Sequence, residues 1–386
     1  AAQVLARLGY AAIVLEGLAP EGKLYQILIN KDGVKIEPAD QYKMLPNYDL
    51  VDKIKGVYGD KVTCMSIGPA GEMKLSASSI AITDMEFRPT RHAGRGGVGA
   101  VMGAKGVKVI IMDDAGIKNR EPKDPEKFRE ANKKWVEGLR SHAVTGQALP
   151  AYGTNVLVNI INESGGFPTR NFQTGKFDGA SAISGETFAD IETKRGGNPT
   201  HGCHRGCVIQ CSNVVPDKDG KIIVSPLEYE TIGLLGSNLG IGDLDVIAKL
   251  NAFCNDFGID TIETGAAIGV AMEAGLAEFG DADACFKFMD EIKNDTELGR
   301  LLASGTAIAG EKLGVKHIPA VNGQGMPAYD PRAIKGMGVT FITSPMGADH
   351  TYGPVVKTDK GWAEASNEAQ LLMAILDSLG ICMFSR

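Results

Sequence analysis

The sequence predicts an α+β fold in which a β-rich N-terminal domain is followed by mainly α-helical domains. Short apolar runs separated by turn residues fill the first 115 residues, which is the pattern of strands joined by turns. From Asp243 to about Ala309 apolar residues recur at i, i+3 and i+4, which is the pattern of packed helices. At 386 residues the chain has room for two or three domains. We place them at residues 1–119, 120–320 and 321–386.

The first of these domains is expected to alternate strands with a few helices. Asp32-Gly33 between two apolar runs is a strong hairpin signal. The expected elements, in order, are a helix over 1–8 ended by Gly9, a strand over 11–17, the hairpin strands LYQILIN and VKIEPAD, a helix over 47–59, a strand KVTCMSIG with Cys64 in the core, a strand near 73–82, a helix over Val98–Lys105 and a strand over Val107–Met112.

The rest of the chain is expected to be mainly helical. Asp124 and Pro125 are the residue types of a helix N-cap and a first helical position. The expected elements, in order, are a charged solvent-facing helix from Pro125, loops over 143–200, a hairpin over Val214–Ile223, helices over 243–309 broken at Gly258, Gly265 and Gly280, a loop over 327–354, and a last helix over 364–378 ended by Gly380.

The composition excludes several classes of function. A net charge of −7 leaves no basic surplus for general nucleic-acid binding. No apolar run has the length of a membrane span, and no signal peptide opens the sequence. Seven cysteines, an odd number with three clustered, do not resemble a disulfide framework, so we expect a reducing cytoplasm. The chain opens like the tail of a helix and stops four residues beyond Cys382, so we expect further sequence at both ends.

The most informative stretch is GCHRGCVIQC, which places Cys203, Cys207 and Cys211 within nine residues. Three thiolates on one short loop are soft ligands that can hold three corners of a metal centre. The spacing favours an iron–sulfur cluster, because zinc ligands usually come as two pairs well separated in sequence. The best candidate for the fourth ligand is Cys382. The alternatives are a zinc site completed by His201 or His204, or chance clustering.

A second stretch, Arg91–Gly97, holds three glycines and two arginines in seven residues and precedes a predicted helix. Glycines let backbone N–H groups approach an anion, a helix N-terminus favours negative charge, and arginine binds phosphate in bidentate fashion. The stretch matches neither the Walker A pattern nor the dinucleotide fingerprint. The alternative is a glycine-rich turn that packs a helix on a strand.

Two segments, Asn255–Asp260 and Asp377–Cys382, share one template of a helix end, a glycine, an apolar residue and an acceptor or ligand. Both are consistent with ordinary helix C-caps. In each copy an acidic or amide residue also stands five positions before the last residue, so the pair could cradle two halves of a cofactor. The sequence also contains a carboxylate pair, Glu228 and Glu230, and a histidine, His350, in the predicted loop over 327–354.

Taken together, these pieces resemble the tungsten-containing aldehyde ferredoxin oxidoreductase family. The resemblance covers nearly the whole chain from residue 5 onward and rests on these segments in order: RHAGRGGVGAVMGAKG, GCHRGCVIQC, EYETIGLLGSNLGI, NDFGIDTIETG, PAYDPRAIKGMG, GADH and DSLGIC. It implies a β-rich pterin-binding N-terminal domain, incomplete here, and a tungsten or molybdenum bis-pterin centre beside one 4Fe–4S cluster, with magnesium bridging the pterin phosphates.

The resemblance also assigns roles to individual residues. The residues that match cluster ligands are Cys203, Cys207, Cys211 and Cys382; those that match pterin-phosphate positions are Arg91, His92 and Gly94, with the His92 carbonyl reaching magnesium; those that match other pterin contacts are Asn255, Asp260, Asp377 and Ile381; those that match the active-site carboxylate and histidine are Glu230 and His350.

The sequence departs from the family pattern at three places. The first cysteine pair is spaced Cys-x3-Cys where better-known members have Cys-x2-Cys. Asn255 stands where an aspartate is common, which keeps the acceptor and loses the charge. Lys249 and Ala252 stand at the family's intersubunit iron site, and since neither is a plausible ligand, we expect any oligomer to lack that metal bridge.

The resemblance implies an enzyme that oxidises a small aldehyde to a carboxylic acid and passes electrons through the cluster to ferredoxin or an iron–sulfur electron-transfer subunit. One alternative is a related tungsten enzyme that reduces another substrate, such as an aromatic thioester. Another is an iron–sulfur electron-transfer subunit without pterin. The arginine–glycine stretch, Glu230 and His350 favour an enzyme, because an electron carrier needs none of them.

Overall fold

The computed structural model describes residues 1–356 and 359–385, and these form two compact units. Unit 1 comprises Ala1–Gly138, Cys203–Gly206 and Phe253–Asp260, and unit 2 comprises Leu139–Gly202, Cys207–Ala252 and Thr261 onward. Among the described residues, no helix has both the length and the apolar character that crossing a membrane requires.

Unit 1 is built on a six-stranded mixed sheet in the order β2-β1-β6-β3-β4-β5. Its strands are β1 (Tyr25–Asn30), β2 (Gly33–Pro38), β3 (Thr63–Ser66), β4 (Ile80–Thr83), β5 (Pro89–Ala93) and β6 (Val107–Met112). Strands β1 and β6 run parallel, and the other pairs of neighbours are antiparallel. The central strand β6 is buried at all six positions, as expected for a strand covered on both faces.

The remaining strands lie in unit 2: β7 (Asn198–His201), β8 (Ser212–Pro216), β9 (Ile222–Val224), β10 (Ala320–Val321) and β11 (Gln324–Gly325). The helices along the chain are α1 (Ala2–Arg7), α2 (Asn47–Tyr58), α3 (Pro69–Glu72), α4 (Val98–Ala104), α5 (Pro125–Ser141), α6 (Leu149–Tyr152), α7 (Leu157–Glu163), α8 (Gly185–Lys194), α9 (Tyr229–Leu235), α10 (Leu244–Phe257), α11 (Thr261–Glu273), α12 (Ala282–Lys293), α13 (Glu297–Ala303), α14 (Thr306–Leu313), α15 (Lys335–Thr343) and α16 (Trp362–Leu379).

Two apolar clusters cover the two faces of the sheet in unit 1. Helix α2 contributes Leu50 and Ile54 to one cluster, together with Cys64 of β3. Helix α4 contributes Met102 to the other, which also holds Ile110 of β6. Helix α2 repeats its apolar residues with helical spacing, so one of its faces is buried against the sheet.

Unit 2 packs its helices around α11, which is buried at every position from Ile262 to Met272. Helix α9 lies so close to α11 that a Cβ atom on Gly265 would stand 2.6 Å from the carbonyl oxygen of Leu234. Gly265 therefore serves helix–helix packing within α11, and the predicted helix break at this residue is wrong.

The predicted α+β class is confirmed, with a β-rich part first and mainly helical parts after it. Among the elements, the hairpin pairs Asn30 with Gly33 around a two-residue turn, and α16 ends at a left-handed Gly380, both as predicted. The strand over 11–17 does not form, and 143–200 holds α6, α7 and α8 in place of loops alone. The loop over 327–354 contains α15.

Unit 2 also buries a carboxylate, that of Glu192 on α8, which is 0% exposed. Burial raises the pKa of Glu192 to about 8; the backbone of Val214 opposes this shift, and the charge of Glu228 adds to it. The carboxyl group is therefore mostly protonated in the folded protein at neutral pH, because the interior disfavours its charged form.

This burial predicts how stability depends on pH. Unfolded chains lose this proton near pH 4.5, and the folded protein keeps it until about pH 8. Within that window the unfolded state binds fewer protons, so the free energy of unfolding falls as pH rises, by at most about 1.4 kcal/mol per pH unit. Glu192→Gln should flatten this decline in thermal unfolding measured across the window. Glu186→Gln, an exposed position on the same helix, should not, and equal slopes for Glu192→Gln and wild type would contradict the prediction.

Candidate functional site

The arginine–glycine stretch lies at the end of β5 and the start of α4 in unit 1. Strand β5 pairs with β4, which places Arg91 opposite Ile82 and His92 opposite Ala81. The Nδ1 atom of His92 lies 2.8 Å from Ser79 Oγ, within hydrogen-bonding distance. Burial lowers the pKa of His92 to about 4, so the ring is neutral at physiological pH.

The segment after α10 joins this stretch in unit 1. Gly258 ends α10 with φ +80°, its carbonyl accepts from Ser79 N–H at 2.9 Å, and Ile259 forms a β-bridge with Ser78. The next residue, Asp260, donates its backbone N–H to Ala77 O at 2.9 Å. The end of α10 is thereby fixed against the segment that precedes β4.

The first turn of α2 holds the same segment from another side. The side chain of Asn47 donates to the carbonyl oxygen of Asn255 at 2.9 Å, and Tyr48 N–H donates to Asp256 Oδ1 at 3.0 Å. Asn255 itself is buried.

These contacts bring Asp260 to the arginine–glycine stretch. Asp260 Oδ2 lies 3.5 Å from Arg95 Nε, and both side chains are largely buried. A Cβ atom on Gly94 would lie 3.1 Å from Asp260 Oδ1, so the absence of a side chain there lets the two segments approach closely. The structure therefore juxtaposes Gly94 and Asp260, two predicted site residues, and adds Arg95, to which the sequence assigned no individual role.

The two predicted helix ends have the same backbone form. After α10, Ile259 N–H donates to Cys254 O, and after α16, Ile381 N–H donates to Leu376 O, each at 2.9 Å and each spanning five residues. Gly258 and Gly380 both adopt the left-handed conformation, which is the αL helix stop. Asp377, near the end of α16, is exposed.

The cysteine loop keeps several ligand atoms together. One ligand atom each of Cys203, His204 and Cys207 lies within 4.8 Å of the others. Gly206 has φ +85°, which lets the loop turn back between the two cysteines. Gln210 N–H donates to Cys207 Sγ at 3.3 Å, and all seven cysteines are free thiols.

Cys211 and Cys382 are near each other in unit 2. Burial raises the pKa of Cys211 to about 12, and the charges of Glu228, Cys382 and Cys207 raise it further. Four thiols can serve as soft ligands, and a bound cationic cluster would stabilise thiolates that otherwise repel one another. The donor set therefore fits an iron–sulfur cluster. Of the three clustered cysteines and the one distant cysteine, Cys207 and Cys382 thus both interact with Cys211 within unit 2, and Cys203 belongs to unit 1.

A carboxylate and an imidazole converge elsewhere in unit 2. Glu230, in the first turn of α9, accepts a hydrogen bond from Ala328 N–H at 2.8 Å. Its other carboxylate oxygen lies 3.7 Å from His350 Nε2, and the two side chains are 13% and 20% exposed. The structure therefore brings together the two residues expected to be catalytic, with limited access for water.

Two tyrosines that the sequence did not single out surround this pair. Tyr229 donates from its hydroxyl to Ala328 O at 2.6 Å, so Ala328 is held by Tyr229 at its carbonyl and bound to Glu230 at its N–H. The ring of Tyr329 stacks on His350 at a centroid distance of 6.1 Å. Burial raises the pKa of both tyrosines well above 10, and the charge of Glu230 adds to both shifts. The sequence offered one signal for each of them: Tyr229 directly precedes Glu230, and Tyr329 is part of the PAYDP segment.

Comparisons with known proteins find one family along the chain. Residues 1–114 match the family model described as the N-terminal domain of aldehyde ferredoxin oxidoreductase, and residues 130–386 match the model described as domains 2 and 3 of the same family. A tungsten-containing aldehyde ferredoxin oxidoreductase from Pyrococcus horikoshii is 35% identical over 98% of this chain and 65% of the relative. The chain thus spans about 65% of the length of this curated relative.

The chain is also similar to two oxidoreductases whose names give substrates other than aldehydes. The WOR-like subunit of an aliphatic sulfonate oxidoreductase from Pyrococcus furiosus is 27% identical over 97% of this chain and 63% of the relative. A solved structure, the active site complex BamBC of benzoyl coenzyme A reductase with 1,5-dienoyl-CoA, superposes with a TM-score of 0.70 at 19% identity. That alignment covers 90% of this chain and 55% of the other, and it shows the fold alone.

The close approach at Gly258 generates a prediction. A Cβ atom there would lie 2.8 Å from Gly68 N, whereas one on Gly275, with nearly the same φ of +85°, would meet nothing within 4 Å. An alanine in the left-handed conformation costs about 1–2 kcal/mol, and overpacking costs about 1–3 kcal/mol more. Gly258→Ala should therefore lower the free energy of denaturant unfolding more than Gly275→Ala does. Equal losses would show that the contact with Gly68 adjusts freely.

Proposed function

Because the chain belongs to the aldehyde ferredoxin oxidoreductase family, we propose that it is part of an enzyme that oxidises a small aldehyde to a carboxylic acid at a tungsten (or molybdenum) bis-pterin centre. A 4Fe–4S cluster would supply the electron-transfer chemistry, and ferredoxin would accept the electrons. The observation that supports this most directly is the convergence of Glu230 and His350 at 3.7 Å inside a wall of buried tyrosines.

The bis-pterin centre would supply the two-electron redox chemistry, and this chain would hold and orient it. In unit 1, Arg91, His92 and Gly94 would bind pterin phosphates, with the His92 carbonyl directed to magnesium. The residues proposed for the remaining pterin contacts are Asn255, Asp260, Asp377 and Ile381. Two observations support this fit. Gly94 leaves open a space beside Asp260 that a side chain would fill, because a Cβ atom on Gly94 would lie 3.1 Å from Asp260 Oδ1. The arginine side chains of the same stretch are suited to binding phosphate.

The cluster would be held by Cys203, Cys207, Cys211 and Cys382. Soft thiolates favour iron–sulfur ligation, and the pKa of Cys211, raised to about 12 by burial, is lowered when a cationic metal binds. A zinc site on Cys203, His204 and Cys207 is the competing assignment, since their ligand atoms also lie close together.

The acid–base steps fall to Glu230 and His350. Oxidation of an aldehyde with one water to a carboxylate releases two electrons and three protons. Glu230 would take a proton from the water or the hydrated aldehyde as general base. The imidazole N–H of His350 would donate to the carbonyl oxygen, on which negative charge develops. Ala328 N–H, at 2.8 Å from Glu230, fixes the direction of the carboxylate.

The same proposal includes partners and setting. We assign the electron acceptor to the ferredoxin class or to an iron–sulfur subunit, and we place the enzyme in the cytoplasm because its seven cysteines are free thiols. Any oligomer would form without a metal bridge at Lys249 and Ala252, whose side chains are not metal ligands. The 27% identical sulfonate oxidoreductase subunit makes a sulfonate the substrate to test beside aldehydes.

Substitution of the paired groups tests the mechanism. Removing a general base typically costs about 10²–10⁴ in rate, and removing one donor to a developing oxyanion about 10²–10³. Glu230→Gln and His350→Asn should each lower kcat for aldehyde oxidation at least about 100-fold, with tungsten and iron contents retained. His317→Asn, at a histidine outside the pair, is the control. Wild-type turnover in a fully loaded Glu230 or His350 variant would make that residue structural.

The fourth ligand is tested separately. Cys382→Ser should lose the cluster or convert it to a three-iron form, because one of four thiolates is removed. Iron analysis and the EPR spectrum of the reduced protein measure this, with Cys285→Ser as a control at a buried cysteine outside the loop. An unchanged iron content and reduced-state spectrum would exclude Cys382 as a ligand.

A further inference from the structure

An open groove of about 970 Å³ lies in unit 1, and its lining is strongly basic. Four basic side chains line it, those of Arg7, Lys118, Arg120 and Arg205, against one acidic side chain, Asp114. Arg7 pairs with Asp114. The other three cationic side chains are exposed and form no ion pair within the part of the chain that the structure describes. The groove therefore presents three uncompensated positive charges.

The wall of this groove continues into the cysteine loop. Arg205 stands between Cys203 and Cys207 in the sequence. Gln3, which also lines the groove, lies with its side-chain nitrogen 3.4 Å from Nδ1 of His204. A molecule bound in the groove would therefore contact the loop that carries two proposed cluster ligands.

The charge of the groove is opposite to that of the whole chain. The chain carries a net charge of −7, so its average surface repels an acidic protein. A concave surface lined by one sign of charge focuses the field and attracts the opposite charge. Phe128 lines the groove with 58% of its surface exposed and offers apolar contact area among these charges. Aromatic side chains and arginines, both present here, are enriched at protein–protein interfaces.

We propose that this groove, defined by Arg7, Lys118, Arg120, Phe128 and Arg205, is the docking surface for an acidic electron-carrier protein of the ferredoxin class. The inference rests on the proposed function, because it needs a cluster on the cysteine loop. Each docked carrier would accept one electron, so that two carriers would be reduced for each aldehyde oxidised. The basic side chains take no part in the redox step; they orient the carrier and speed its encounter.

Charge reversal in the groove tests the proposal on the full-length enzyme. The double variant Lys118→Glu/Arg120→Glu is compared with Lys35→Glu/Lys53→Glu, which changes the net charge equally at exposed lysines of unit 1 outside the groove. Binding of a purified acidic ferredoxin is measured without turnover at low and high salt. The groove variant should bind at least about tenfold more slowly at low salt, and the difference should shrink as salt screens the charges. The control should bind like wild type.

The outcomes separate this inference from the proposed function. Equal weakening in both double variants, or no binding of acidic ferredoxin by the wild type, would overturn the docking surface. Binding of inorganic phosphate in the groove without ferredoxin binding would also overturn it. A small viologen dye can accept the electrons without docking in the groove. If the wild-type enzyme does not oxidise aldehydes with viologen as the acceptor, the proposed function is refuted, whatever the result of the ferredoxin-binding measurement. In the groove variant the ratio of ferredoxin-linked to viologen-linked kcat/KM should fall about tenfold, and an unchanged ratio would contradict the proposal.

Discussion

The arrangement of the site in unit 1 depends on one backbone contact, where the chain leaving α10 meets the segment before α3. Gly258 and Gly68 face each other so closely that a Cβ atom on Gly68 would lie 2.3 Å from Phe257 O. Glycine is the one residue type that accepts both this approach and a φ of +80° at Gly258 without strain. The bridge between Ile259 and Ser78 follows from this contact, and with it the position of Asp260 beside Arg95.

The second constraint on the structure is the cost of burying a charged carboxylate. Two carboxylates, Glu192 and Glu230, differ in the partners that surround them. Glu192 lies beside another carboxylate, Glu228, and its raised pKa keeps it protonated at neutral pH. Glu230 instead accepts a hydrogen bond from Ala328 N–H and faces an imidazole, so its charged form has partners. A base that must accept a proton needs such partners, because an isolated buried carboxylate would already be protonated. The surroundings of Glu230, more than its burial, suit it for acid–base work.

The sequence predicted most elements whose signal is local. Asp32-Gly33 specifies its hairpin through turn chemistry, and the glycines after α10 and α16 specify helix ends through a conformation that other residues avoid. It failed where tertiary packing decides. Gly265 resembles a helix breaker when only its sequence neighbours are considered, yet in the fold it is the contact between α9 and α11. Residues 11–17 are apolar enough for a strand, but no described strand pairs with them and most of them are exposed, so they form no strand.

The site, like the fold, could be predicted from the sequence only where its residues are close together in the chain. The cysteine loop and the arginine–glycine stretch concentrate their residues in sequence, so their chemistry can be recognised from the order of residues alone. The juxtaposition of Glu230 with His350 spans 120 residues, and only the resemblance to a family suggested it. The tyrosines were missed because an aromatic residue carries no sign of its role until its neighbours are known.

Tyr229 and Tyr329 matter because they are buried beside Glu230. A lower local dielectric there strengthens the interaction of the Glu230 carboxylate with His350 and Ala328. The same apolar wall limits the water that could otherwise compete for the carboxylate and the imidazole. Under the proposed function, acid–base catalysis therefore depends on this wall as much as on the two ionisable groups that it encloses.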